Sequence, residues 1–401
     1  MTLRPSKRAS EVSPFIVMEV LRRANELEQK LQSEGAGKHQ KVLRLEVGQP
    51  STPPPQAVLD AVARASTSYT AALGIKELKE AISNHYASWY AVDVPCSAIA
   101  ITTGSSGAFL AAFVSCFDAD DRVAVAVPGY PCYRHVLRAV CAEVVEIAVD
   151  ETTNFQPTVS QLQVEHDKKR LKGVVVASPS NPTGSVLSAE DLAALAKFCS
   201  ENDIRLIVDE IYHGIGDAKH ATAMALHKEI IVISSFSKYW CMTGFRVGWL
   251  ATSDEELLSA VEKTLQNMCI CAPSFSQHAA IAALSSECQP ELAAHVKRYV
   301  NNQKVLADWL RRAGFEPFMP QGAFYLYARC REVLRRLEMK DSMQLCRTLL
   351  EQCHVACTPG VDFDVSRGNW YVRFSCCGSL ADVTEAGERV LALVSKNTST
   401  L

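Results

Sequence analysis

Between about residue 98 and residue 250 the chain alternates short apolar runs with longer segments of helical pattern. The runs are Ala98–Thr103, Val123–Val127, Val144–Val149, Val174–Ser178, Arg205–Asp209, Ile230–Ser234 and Val247–Ala251. They are rich in β-branched residues and apolar at consecutive positions, the pattern of strands covered on both faces. Such strands joined by helices predict an α/β architecture: a large domain with a mostly parallel seven-stranded sheet sandwiched by helices. Between two of the runs, Ser188-Ala189-Glu190-Asp191 reads as a capping box opening a helix that extends to Asn202.

The ends of the chain are patterned differently. Residues 14–33 carry one helical period, and residues 290–312 carry a second, longer one. Short strands are expected near Phe324–Tyr327 and Tyr371–Ser375, with helices between and after them. The organisation expected is a large domain over residues 46–290 and a smaller α+β domain. The smaller domain is built from residues 291–401 together with the N-terminal segment, residues 1–45. No internal repeat or low-complexity tract is visible, and no run of about 18 apolar residues suggests a membrane span.

Composition narrows the function classes. With 401 residues, 48% of them hydrophobic, the chain has material for a large core. A net charge of -3 gives no electrostatic case for nucleic acid or a membrane surface. The 15 cysteines are scattered and odd in number, which suggests free thiols in a reducing compartment and a cytoplasmic location. The N-terminus is basic at Arg4, Lys7 and Arg8, but no apolar stretch follows, so a secretory signal is not expected. Glu11 weakens the mitochondrial alternative. Cys269/Cys271 and Cys353/Cys357 lack partners at zinc-site spacing, so no metal is expected.

Four segments carry candidate chemistry. In Ser234–Trp249, Lys238 sits just past a strand, with Ser235 and Ser237 beside it and Arg246 eight residues on. A lysine that forms a Schiff base needs a partly desolvated site so that it can lose its proton near neutrality. Hydroxyls and a cation nearby suit an anionic ligand, although a solvated lysine and a structural arginine would give the same letters. Thr103-Gly104-Ser105-Ser106-Gly107 follows a strand and opens a helix, where free N–H groups and the helix dipole favour phosphate. It matches neither the Walker A, GxGxxG nor GxSxG spacing. Asp209-Glu210-Ile211-Tyr212 lies at the carboxyl end of an apolar strand, where α/β sheets place ligands; a helix-capping aspartate is the plainer alternative. Ser180-Asn181-Pro182-Thr183-Gly184, taken alone, reads as an ordinary turn.

Taken in order and spacing, these segments resemble aminotransferase class I/II, the fold type I pyridoxal-phosphate enzymes. The resemblance runs from about Pro14 to Val394. It is reinforced by Leu45-Glu46-Val47-Gly48-Gln49-Pro50, by Tyr69-Thr70 with Leu73-Gly74, and by Pro128-Gly129-Tyr130-Pro131. Gly322-Ala323-Phe324-Tyr325 and Tyr371-Val372-Arg373-Phe374-Ser375 extend it towards the C-terminus. It implies that Lys238 holds pyridoxal 5'-phosphate and acts as the catalytic base, and that Asp209 faces the ring nitrogen. Asn181 and Tyr212 would bond the ring's 3-oxygen, and Tyr130 would cover the ring. The phosphate would be cradled by Ser105, Ser106, Gly107, Ser235, Ser237 and Arg246. Arg373 would clamp the substrate α-carboxylate, with Gly48 and Asn181 close by. Tyr69 matches a tyrosine that reaches the phosphate of a partner subunit, which implies a homodimer with shared active sites. The expected activity is transfer of an amino group from an L-amino acid to a 2-oxo acid by a ping-pong route.

Some departures bear on specificity. Dicarboxylate-specific relatives read the distal carboxylate with a lysine in the phosphate loop or an arginine lent by the partner. Here the loop position is Ser106, and Thr264 to His295 contains no Lys or Arg. The pattern leans towards a neutral or aromatic donor side chain. Cys376-Cys377 and Asp364 also depart from the commoner pattern. A C–S β-lyase or an aminocyclopropane-carboxylate-synthase-like enzyme on the same fold is the nearest competitor. A regulator with an added DNA-binding domain is disfavoured by the short segment ahead of Leu45, and a serine hydrolase by the lack of a GxSxG turn.

Overall fold

The computed structural model describes residues 3–34 and 41–398. Seven strands form the central sheet, in the spatial order Ile99–Thr102, Gly248–Ala251, Ile231–Ser235, Arg205–Asp209, Gly173–Ala177, Arg122–Val127, Glu143–Ala148. Each falls on one of the seven apolar runs. Adjacent strands are parallel except at Gly248–Ala251, which runs antiparallel to both its neighbours. Hydropathy could not supply that direction, because a buried strand has the same composition whichever way it runs.

The consecutive apolar positions are explained by the pleat, which sends successive side chains to opposite faces. Val123, Val125, Val175, Ile207, Ile231 and Ile233 enter one buried cluster. Their neighbours Ala124, Val174, Val176, Leu206, Val208 and Val232 enter another. Each such valine, leucine or isoleucine contributes about 1.5–3 kcal/mol when taken out of water, so a doubly covered sheet forms the stable centre. On one face the helix Gly104–Cys116 buries Ala108, Phe109, Ala111, Ala112 and Phe113. On the other, the helix Ala189–Glu201 buries Leu192, Leu195 and Phe198. It is capped as expected by Ser188, whose Oγ accepts from the Asp191 N–H at 3.0 Å. The second arm of the box differs: the Ser188 hydroxyl donates to the Asp191 carboxylate at 2.8 Å.

After the helix Gln289–Arg312 comes a four-stranded antiparallel sheet, ordered Thr358–Pro359, Tyr371–Ser375, Tyr325–Arg329, Glu316–Phe318. The N-terminal segment joins this part of the molecule. Leu43–Arg44 pairs in parallel with Val355–Ala356, and Ala24 of the helix Ile16–Ser33 is buried with Val42, Leu350 and Ala356. No described helix is long and apolar enough to cross a membrane.

One consequence of the parallel direction matters for chemistry. The segments after Thr102, Val127, Ala177, Asp209 and Ser235 all leave the sheet at its carboxyl edge. Open α/β sheets bind ligands at that edge.

Candidate active site

A cavity at this edge gathers most of the residues singled out from the sequence. Gly48, Ser105, Ser106, Tyr130, Asn181, Asp209, Tyr212, Ser237, Lys238, Arg246 and Arg373 all line it. Three expected residues do not. Gly107 lies one turn further along its helix, where an added Cβ would sit 2.3 Å from Thr103 Oγ1. Ser235 is fully buried, and its hydroxyl oxygen lies 3.0 Å from Val247 O, to which it donates, and 2.9 Å from Ser237 Oγ. Tyr69 is 80% exposed on the outer surface.

Lys238 follows the strand Ile231–Ser235 by three residues. Its ammonium donates to Gly48 O at 2.6 Å. Burial lowers its pKa to about 8; the Arg373 and Arg246 charges push the same way, and Cys377 and Asp209 oppose them. A lysine so placed has an appreciable neutral fraction near physiological pH. Gly48 must be glycine here, since a Cβ would lie 1.8 Å from Tyr325 Oη.

Asp209 ends the strand Arg205–Asp209 and is buried. The Tyr133 hydroxyl donates to its Oδ2 at 2.5 Å, and the Ile211 N–H donates to its Oδ1 at 3.0 Å. It closes a tight turn of its own and caps no helix. Burial pushes its pKa up to about 6, against those two donors and the Lys238 charge. A buried carboxylate with neutral donors is completed by a cationic N–H.

Arg373 comes from the middle of the strand Tyr371–Ser375 and is buried. Its Nη1 donates to Asn181 Oδ1 at 2.9 Å, and its Nη2 donates to Glu46 O at 2.5 Å. The guanidinium lies 4.4 Å from the Tyr325 ring centroid and 4.8 Å from that of Phe363. Its bonding partners are neutral oxygens, and its Nε has none. With the Asn181 oxygen engaged, the amide NH₂ is the group that side chain offers to the cavity. The Tyr212 and Tyr325 hydroxyls are 2.7 Å apart, and burial holds Tyr212 well above the usual phenol range, hence neutral.

At the start of the helix Gly104–Cys116, Gly104 has φ +71° and an added Cβ would lie 2.5 Å from Arg246 Nη2. The missing side chain therefore lets a guanidinium lie against a helix N-terminus, the two arrangements that best attract phosphate. The cavity thus presents three cationic side chains against one carboxylate, a balance suited to an anionic ligand bearing one cationic centre.

Sequence reasoning missed Phe15, Val17, Met18, Val47, Tyr133, Ile211 and Tyr325 as lining residues. Tyr133 and Tyr325 sit within or beside recognisable motifs and could have been found there. Nothing local marks Phe15, Val17 and Met18, which begin an amphipathic helix like any other.

The family model for aminotransferase class I and II matches residues 40–390. A valine–pyruvate aminotransferase of Mycobacterium tuberculosis is 43% identical over 398 residues, covering 97% of this chain and 98% of that protein. An aspartate aminotransferase of Bacillus subtilis is 30% identical, covering 98% of this chain and 100% of its own length. Among solved structures, an aminotransferase from Mycobacterium tuberculosis superposes with a TM-score of 0.91 at 42% identity, covering 98% of this chain and all of its own.

Proposed function

The chain belongs to aminotransferase class I and II, and on that premise we propose that it takes a neutral, apolar amino acid as donor rather than a dicarboxylate. It is a pyridoxal-phosphate-dependent transaminase that moves an amino group to a 2-oxo acid. The observation carrying the donor class is the cavity wall. Phe15, Val17, Met18, Tyr130, Ile211 and Tyr325 are apolar or aromatic, and the cations among the lining residues are Lys238, Arg246 and Arg373. If those three serve the cofactor and the α-carboxylate, none is left for a second carboxylate. The relative named valine–pyruvate aminotransferase supports the same reading. Absorbance of the holoenzyme with a panel of donors tests it. Valine, leucine and alanine are expected to convert the bound cofactor to its amino form faster than aspartate. Aspartate as best donor by a wide margin would overturn the assignment.

The residues present suit pyridoxal phosphate. Both hydrogen bonds to Asp209 come from neutral donors, leaving it suited to the cationic N–H of a protonated ring nitrogen, and Arg246 with the Gly104–Cys116 helix start suits the phosphate. Ser105, Ser106 and Ser237 line the same cavity and add hydroxyls to that cradle; Gly107 and Ser235 would act on it through the backbone and the Ser237 hydroxyl. When bound, the cofactor contributes an aldehyde that joins amines and a cationic ring that accepts electrons from the α-carbon. Arg373 would grip the donor carboxylate through its two-pronged guanidinium, with Asn181 beside it, and so fix where the α-hydrogen points. The Lys238 amine, in its neutral form, would take the α-proton and pass it on to the cofactor. Asn181 and Tyr212 would donate to the ring oxygen, and Tyr130 would cover the ring and exclude water.

A homodimer follows from the same resemblance. Tyr69 is exposed, and the segment carrying it is tied to residues 271–277: Thr70 N–H donates to Cys271 Sγ at 3.5 Å, and Gln277 Nε2 to Thr70 Oγ1 at 3.0 Å. Met268, Ile270 and Phe275 are 50%, 49% and 44% exposed on these neighbouring turns. Clustered exposed apolar residues mark association surfaces. Sedimentation equilibrium is expected to give twice the 43.9 kDa of one chain. Tyr69→Ala is expected to lower phosphate-dependent cofactor affinity, and a monomer with full activity would refute the shared-site arrangement.

A further inference from the structure

The apolar wall of the donor pocket begins at Phe15, more than 200 residues from Lys238 in sequence, so something must hold it there. The helix Ile16–Ser33 has Phe15 at its N-cap position; the Phe15 carbonyl accepts from Met18 N–H at 3.0 Å, but its side chain has no oxygen to cap the helix's first two N–H groups. Those groups end on a remote carboxylate. Ile16 N–H donates to Asp362 Oδ1 at 3.0 Å, and Val17 N–H donates to Asp362 Oδ2 at 3.3 Å. A borrowed cap of this kind satisfies two otherwise orphaned donors and complements the helix dipole.

Asp362 is itself buried, 3% exposed. Its own loop is fastened to the carboxyl edge of the large sheet. Gly129 N–H donates to Phe363 O at 3.1 Å, Arg134 Nη1 donates to Phe363 O at 3.0 Å, and Arg134 Nη2 donates to Asp362 O at 2.5 Å. The next residue, Phe363, presents its ring to the Arg373 guanidinium. At the other side of the contact, the Phe15 ring meets Tyr130 edge-on at 6.0 Å. One loop therefore touches both the wall expected against the donor side chain and the arginine expected on its carboxylate.

We propose that Asp362 is a specificity-determining positioning residue. By capping the N-terminal helix it fixes Phe15, Val17 and Met18 as the wall against which an apolar donor side chain binds. The proposal rests on the neutral-donor reading for its substrate class and on the two carboxylate contacts for its mechanics. Without the carboxylate, the first turn has two unsatisfied N–H groups and is held only by packing, through the Phe15–Tyr130 ring contact and the buried Val17. The wall would then move, and the loss would grow with the length of side chain touching it, while the chemistry at Lys238 would go on.

The test compares Asp362→Ala, Asp362→Asn and Phe15→Ala with the parent holoenzyme. Asp362→Ala is expected to raise KM for valine and leucine about tenfold, the scale of losing charged hydrogen bonds. KM for alanine should change much less, and kcat for all three should stay close to the parent's. Asp362→Asn keeps one oxygen acceptor and should fall between. Phe15→Ala should show the same dependence on side-chain size. The double variant Asp362→Ala/Phe15→Ala should be no worse than the poorer single, since both act through one wall. A readout independent of turnover is trypsin cleavage after Arg22 and Arg23, which should accelerate in Asp362→Ala and not in Phe15→Ala. Equal KM increases for every donor, or an unchanged cleavage rate, would overturn the proposal. Should the parent itself prefer aspartate, the donor-class reading falls, and the cleavage rate still decides whether Asp362 holds the segment.

Discussion

Lys238→Ala is expected to slow transamination by about 10⁴-fold or more, because one amine serves both as the cofactor's covalent holder and as the base at the α-carbon. The fold explains why this lysine suits both tasks. It leaves the end of a buried strand, so its backbone is fixed, and burial with two neighbouring arginines lowers its pKa to about 8. An amine must shed its proton before attacking an aldehyde. Cofactor uptake by the apoenzyme should therefore rise with pH and flatten above about 8. Lys238→Arg should be equally inactive, since a guanidinium stays charged throughout this range. Stopped-flow absorbance distinguishes the two tasks: the alanine variant should still bind the cofactor without covalent attachment, and should convert it with a donor only in a slow single turnover. Full multiple turnover by either variant would remove the basis for the site assigned here.

Asp209→Asn should cost about 10²–10³-fold in kcat, the scale of removing one partner from a buried charge pair. The substitution keeps size but removes the negative charge and one of the two acceptor oxygens. The Tyr133 and Ile211 donors would then face a neutral amide, and nothing would hold a proton on a ring nitrogen opposite it. The effect should fall on kcat rather than on donor KM, because Asp209 is expected to face the cofactor and Arg373 the substrate carboxylate. A parent-like rate, or a loss confined to KM, would show that Asp209 is only the turn-closing residue its Ile211 contact also makes it.

Much of this was legible in the residues. Apolar runs revealed all seven central strands: burial on both faces marks the inner ones at nearly every position, while the edge strand Glu143–Ala148 is buried only on alternate positions. Lys238, Asp209 and Ser105 were legible because α/β connections put the residues just after a strand at one edge, so chain position translates into place; Asn181, in what read as an ordinary turn, was marked only by the family resemblance. The direction of Gly248–Ala251 was not legible, and neither was the fate of Ser235. That hydroxyl could point to the cavity or to its neighbour, and it bonds Val247 O because the antiparallel strand brings that carbonyl within reach.

The sequence by itself determined the class of fold, the edge where chemistry occurs and the residue types gathered there. Each of those depends on local burial and turn chemistry, which short windows of sequence record. Only the tertiary structure decided what closes the site. The Asp362 carboxylate meets the Ile16 N–H across 346 positions, and Arg373 reaches Asn181 across 192. Hydrogen bonds between distant segments leave no periodicity in either one, so the donor pocket's wall and its fastening appear only once the chain is folded.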